Sequence, residues 1–467
     1  MKQIHQEFEK GFIWWAIGIA VLGGFMLGGH IAMQIGFDMG LPRALDVWIQ
    51  IHGHLQLVGW VGLFIMGVSL HFLPRMASVP IQKRSTLKLI LYLTSFGLLL
   101  RVNFEFWKVY VEDENFAKIF EYVSKFGNAV EFAGIIFYVI VLLKTFTKAP
   151  DFKKRGFEIV KPFFILFLLG WFIYSLVQVS AIFLERYNWI TWNKWSIGVF
   201  MNFTLFPISF AFSILNFPLY IHLKPPTKST KYLGYVYLIA VLLHEFASLP
   251  VYEFTLPLDF NLTALIVDLT ILALLFNSGI IQRIFWAEAE LSKSPFWRRD
   301  GIEDESAGTG RKPRKGYSDY GEFGRFELLI YSSYIWLLIG IFLDILARVF
   351  ILFGLNVHYG DDPVRHSFLA GFITLLILGM AQRMLPGFMH KNRIANTKIV
   401  YATFILGNIA VFSRVVPMLV PLYLSGSMWL FTKIMLYLFG ISGFIAIASL
   451  ILLYINLRKT ARIAQSI

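Results

Sequence analysis

Two histidines stand at matching points of two segments that align without a gap, His54-Leu-Gln-Leu-Val-Gly59 and His366-Ser-Phe-Leu-Ala-Gly371. The offset is a constant 312 residues, and the match runs on to Gly67 and Gly379, then to Leu73-Pro74 and Leu385-Pro386. Two imidazoles brought together are the donor set that haem iron accepts from opposite sides of its ring. Two histidines hydrogen-bonded at a membrane interface are the alternative. Gly59 and Gly371, five residues on, would let a flat macrocycle approach the helix.

Other polar residues fall within apolar sequence. Arg101-Val102 and Arg414-Val415 lie one residue out of register in the same repeat. A charge there costs about 2.5 kcal/mol or more unless it is paired. Carboxylates on other helices would pair them, and so would haem propionates at the depth of His54 and His366. Asp344 and Arg348, four residues apart, can satisfy one another. His52 points about 200° away from His54 on a helix, so one of the two is a bystander. His71 lies roughly 25 Å further along, too far to share that site; it suits a separate copper or haem site, or an interfacial histidine. His244-Glu245, with Glu131 and Asp268, offers a copper site, a proton path or a satisfied polar cluster.

The elements that must hold these residues are membrane helices. Of the 467 residues, 57% are hydrophobic, and runs such as Phe12 to Phe37 and Met428 to Leu457 are long enough to cross a bilayer core of roughly 30 Å. Apolar runs predict spans near 12–37, 48–74, 86–104, 126–147, 160–185, 195–223, 231–250, 258–285, 326–355, 364–389, 396–423 and 428–457. This is an all-α membrane protein of about twelve helices, its first span retained. The formal charge of +13 sits in alternate loops, around Arg75 to Arg84, Lys148 to Arg155, Lys224 to Lys231, Lys293 to Lys315 and Lys391 to Arg393. That pattern is topological and does not indicate nucleic acid. It places both termini in the cytoplasm and the chain in the inner membrane. Cysteine is absent, which excludes disulfides, thiolate-ligated haem, iron–sulfur clusters and covalent haem attachment.

Spans 2 and 10 cross in the same direction, so their histidines share a depth. Their spacing of eight spans suggests three four-helix units, roughly 1–150, 151–286 and 326–467, with spans 2, 6 and 10 equivalent. Span 6 breaks the pattern, because Phe200-Met-Asn-Phe-Thr-Leu-Phe-Pro207 has no histidine. Residues 287–325 read as a cytoplasmic linker, with a basic docking strip for anionic lipid or a partner as the functional alternative.

The segments His52-Gly-His-Leu-Gln-Leu-Val-Gly-Trp through Leu-Pro-Arg75, and Arg365-His-Ser-Phe-Leu-Ala-Gly through Ala-Gln-Arg383, resemble the NnrS family. The resemblance covers most of the chain and implies a haem- and copper-containing membrane protein of nitric oxide metabolism and nitrosative stress. The arrangement is also similar to the catalytic subunit of haem–copper oxidases and nitric oxide reductases. That subunit draws copper histidines from spans 6 and 7 and a further haem histidine from span 10, whereas this chain offers only His244. The expected function is therefore a membrane protein with non-covalent haem b, and copper as a candidate. It would bind, sense or turn over nitric oxide, oxygen or a similar diatomic, or move electrons to such chemistry from a quinol or donor protein. A respiratory oxidoreductase and a cofactor-free transporter are the competing readings.

Overall fold

The computed structural model describes residues 8–151, 157–180, 186–221, 223, 225–250, 259–285, 322–420 and 429–463. The linker expected at 287–325 falls almost entirely outside the described residues. Twelve long helices follow in order: α1 (Gly11–Gly36), α2 (Leu45–Met76), α3 (Arg84–Lys108), α4 (Glu114–Lys148), α5 (Lys161–Ser180), α6 (Thr191–Pro218), α7 (Lys228–Ala247), α8 (Phe260–Asn277), α9 (Phe326–Leu352), α10 (Asp362–Phe388), α11 (Thr397–Leu419) and α12 (Trp429–Ala461). Eleven are long and apolar enough to cross a membrane. The remaining one, α7, carries Lys228, Lys231, His244 and Glu245, and these dilute its apolar stretch below the other eleven. The described residues contain no strand, as a lipid solvent requires of any chain that is not a closed barrel.

Two boundaries differ from the sequence reading. Helix α4 starts at Glu114 instead of near 126, because the Asp113 carboxylate accepts hydrogen bonds from the Asn115 and Phe116 amides at 2.8 and 3.0 Å. Glu121 then holds Lys108 at 2.7 Å and Lys125 at 2.9 Å. A cap and ion pairs carry the helix beyond its apolar run. The span expected at 258–285 ends at Asn277, where Gly279 takes φ +78°, and a short helix, Ile280–Phe285, follows. A residue in the left-handed region stops a helix, and glycine adopts it at no steric cost.

Helices α2, α6 and α10 are the innermost, with 83%, 67% and 83% of their apolar windows buried against no more than 56% elsewhere. They meet pairwise. Phe72 of α2 packs on Phe212 of α6 at 4.7 Å, Phe206 of α6 on Phe372 of α10 at 6.5 Å, and Trp60 Nε1 donates to Thr374 Oγ1 at 3.3 Å. The others surround them, with α3 on α4, α7 on α8, α11 on α12, and α12 closing on α1. Glycines permit the close crossings: a Cβ at Gly97 would stand 2.7 Å from Glu131 Cα, and one at Gly443 would strike the Gly29 backbone.

The inner helices share one backbone device. Each contains a stretch of π-helix, at Leu55–Gly62, Phe200–Leu205 and Ser367–Thr374, and each has an internal proline, at Pro74, Pro218 and Pro386. Counting back twenty residues from each proline reaches His54, Gly198 and His366. Span 6 therefore keeps the backbone of the repeat. At the position where the other two have histidine, it has Gly198.

Candidate functional site

The three equivalent positions face three different spaces. His54 lies against its own α3 and α4 and against α5 and α6 of the next unit. Gly198 lies against α7 and faces Glu245, whose Oε1 would be 3.7 Å from an added Cβ. His366 lines a cavity with residues of α11, α12, α1 and α2. His54 and His366, equivalent in the sequence repeat, therefore line different cavities.

His54 stands in a closed polar cluster. Its Nδ1 is 2.9 Å from the Tyr174 hydroxyl, and its Nε2 is 2.9 and 3.0 Å from the Glu131 oxygens and 3.0 Å from Arg101 Nη1. Arg101 Nη2 donates to Gln178 Oε1 at 2.7 Å, while Gln178 Nε2 donates to Asn193 Oδ1 at 2.6 Å and Asn128 donates to the Gln178 carbonyl at 2.7 Å. His54, Glu131, Arg101 and Gln178 are all buried. Both imidazole nitrogens have protein partners, and Arg101 is held in this cluster as well. His54 and Arg101 line one small cavity, whereas His366 and Arg414 line another.

His366 shares its cavity with His52. The two line one cavity with Arg414, Asp362, Gly28, Gly29 and Gly443. His52 Nδ1 is 2.8 Å from the Gly24 carbonyl, and His366 Nδ1 is 2.8 Å from the Asp362 carbonyl. A carbonyl only accepts, so each Nδ1 carries the proton and each Nε2 keeps its lone pair, which has no hydrogen-bond partner among the described residues. Histidine metal ligands are oriented in this manner. Gly24 closes the π-turn Ala20–Gly24 of α1, a local backbone break of the kind that gathers at functional sites. Gly28 makes room for the ring, since a Cβ there would lie 2.7 Å from His52 Nδ1 and 2.9 Å from Nε2.

Arg414 completes the cavity. Its guanidinium lies over Phe439 at 4.6 Å, and its buried Nη1 has no hydrogen-bond partner among the described residues. The cavity, about 220 Å³, thus brings an unpaired guanidinium nitrogen and two imidazole nitrogens to one lining, groups of the kind that meet a carboxylate and a metal. Gly59 and Gly371 serve another purpose. A Cβ at Gly59 would be 3.1 Å from Leu98 and one at Gly371 2.5 Å from Trp336, so both allow helix packing and neither cradles a ring.

The third space, about 560 Å³, lies between α6 and α10 and is lined by Gly198, His244, Glu245, Asp268, Asp344 and Arg348 among others. It adjoins the His52–His366 cavity, as Ile197 and Arg365 line both. Glu245 Oε1 accepts from Asn202 at 2.9 Å, and His244 Nδ1 is 3.1 Å from Thr263 Oγ1. Arg348 pairs with Asp344 at 3.1 Å, as expected, and also reaches Asp361 at 3.7 Å. Asp268 Oδ2 is buried without a partner. Among the described residues no group of three or more His, Asp or Glu is placed to hold a metal ion. His71 is far from all three spaces, buried between Phe8 at 5.0 Å and Phe388 at 4.6 Å.

The sequence offers His52 and His54 as alternatives and does not choose between them. Gly28 and the Gly24 carbonyl carry no signal of their own.

Comparison with solved structures shows the fold of this chain in a haem–copper terminal oxidase dimer determined by cryo-EM, at a TM-score of 0.61 and 12% sequence identity, covering 98% of this chain and 84% of that one. At that identity the likeness is one of fold. No protein-family model and no curated protein matches the sequence.

Proposed function

We propose that this is a membrane haem protein in which His52 and His366 are the axial ligands of a non-covalent haem b. The observation that carries the reading is the pair of imidazoles lining one cavity, each anchored through Nδ1 to a backbone carbonyl with Nε2 free. Haem held by two histidines is six-coordinate and passes single electrons. The Gly24 and Asp362 carbonyls hold the two rings in the ligating tautomer, Arg414 offers its free Nη1 to a propionate, and Gly28 leaves space for the His52 ring.

With both axial positions filled, small-molecule chemistry belongs next door, in the chamber between α6 and α10. Arg365 and Ile197 form the wall between the two spaces, and Glu245, Asp268 and Asp344 supply the chamber with carboxyl groups. The molecule we assign to it is nitric oxide or another diatomic. Support comes from the NnrS-like segments around His52 and His366 and from the oxidase fold. The loop charges support an inner-membrane setting with both termini in the cytoplasm and this cavity near the outer face. No feature of the described structure favours the transporter reading.

The test is a reduced-minus-oxidised spectrum of the purified protein beside His52→Ala, His366→Ala and His54→Ala. The wild type and His54→Ala should show the same low-spin b-type spectrum, with the two other variants losing it. Retention in His52→Ala with loss in His54→Ala would sink the assignment.

A further inference from the structure

We propose that the groove between α1, α2 and α3 binds a lipid-soluble quinol, with its ring at the His30–Asn103 end and its isoprenoid tail along α1. The groove encloses about 870 Å³. It runs along α1 from Trp15 to His30, about 22 Å at 1.5 Å per residue. Leu22, 79% exposed, marks its open, lipid-facing side. No residue lining it carries a formal charge, which disfavours a phospholipid headgroup, whose phosphate is ordinarily met by Lys or Arg.

Its polar groups gather at one end. The His30 ring packs on Trp48 at 5.3 Å, and neither His30 nitrogen is hydrogen-bonded among the described residues. The Asn103 amide donates to the Leu99 carbonyl at 2.8 Å, leaving its Oδ1 to accept. A quinol ring brings two hydroxyl donors, and this end of the groove presents two acceptors, an imidazole nitrogen and a carboxamide oxygen, beside the flat faces of Trp48 and Phe106. Apolar walls with a few placed polar groups are what a cofactor-sized site requires.

The location gives the ligand a task. Gly23, Leu27 and His30 line the groove, while Gly24 and Gly28 of the same helix hold the His52 ring. Groove and His52–His366 cavity are therefore two sides of one helix. As an electron route the proposal rests on the haem reading above; as a binding site it does not. Oxidation of one quinol to quinone breaks two O–H bonds and releases two electrons and two protons. Two ferric haems, each held by His52 and His366 of one molecule of the protein, would take one electron each, and the two protons would pass to water.

The experiment is equilibrium binding of decylubiquinol and decylubiquinone to the detergent-purified full chain, with haem spectra recorded on the same samples. Gly18→Leu blocks the groove without clash, because nothing lies within 4 Å of a Cβ at Gly18. The wild type should bind saturably, Gly18→Leu should lose binding, and His30→Leu should bind the quinol about tenfold more weakly, the weight of one hydrogen bond in an apolar site. His52→Ala, with haem disrupted, should bind as the wild type does. Undiminished binding in Gly18→Leu would overturn the proposal, as would retained phospholipid with no saturable quinol binding. Haem present without quinol binding defeats the groove alone, and quinol binding without haem defeats the haem reading alone.

Discussion

Substituting Gly28 by Ala adds one methyl group where the His52 ring already lies. The new Cβ would stand 2.7 Å from His52 Nδ1 and 2.9 Å from Nε2, well inside van der Waals contact, so the ring must move and its hydrogen bond to the Gly24 carbonyl at 2.8 Å is lost. A net hydrogen bond contributes about 1 kcal/mol, and an inserted methyl in a packed site costs roughly 1–3 kcal/mol. Loss of the group that orients a ligating histidine weakens metal binding about 10- to 100-fold, which matches that energy at about 1.4 kcal/mol per tenfold. Haem titration into apoprotein, followed at the Soret band, should show this drop in affinity together with loss of six-coordinate character. Gly18→Ala, where the Cβ meets open space, should titrate as the wild type does. Wild-type haem affinity in Gly28→Ala would refute the claim that His52 is a ligand in the conformation described.

The remaining expectations separate the three spaces. Arg101→Leu leaves the buried Glu131 and His54 without their cation, so it should destabilise the fold by about 3–5 kcal/mol, visible as a lower thermal midpoint, while folded protein keeps its haem spectrum. Arg414→Leu should do the reverse, with haem affinity falling and the thermal midpoint of the apoprotein little changed, because Arg414 Nη1 has no hydrogen-bond partner to lose among the described residues. Gly59→Ala should cost stability, because its Cβ would clash with the Ile19 side chain, and leave the spectrum unaltered. Asp113→Ala removes the α4 cap and should cost about 1 kcal/mol, read as faster amide exchange at Asn115 and Phe116.

The His54 cluster illustrates why a buried histidine in a repeat is ambiguous. Its neighbours come from α2 to α6, and Arg101 and Glu131 reach it because Gly97 and Gly127 let α3 and α4 approach closely. A fully hydrogen-bonded cluster of this kind stabilises the bundle. It uses the same residue types as a ligand site, and only the partner of each nitrogen distinguishes the two.

Sequence by itself determined the solvent and the elements. Runs of apolar residues fixed the helices and their number, because lipid leaves backbone groups no partner outside the helix. The repeat was legible as well: an offset of 312 residues places the π-turns after His54 and His366 in identical register. The polar residues that matter were all visible as isolated interruptions of apolar sequence. Tertiary structure alone decided which of them meet. A helix displays every residue type around its circumference, and the choice between His52 and His54 is a rotation of about 200° that hydropathy does not report. In the folded chain His54 turns toward Tyr174 of α5 and Glu131 of α4, while His52 and His366 line one cavity with residues of α1, α11 and α12.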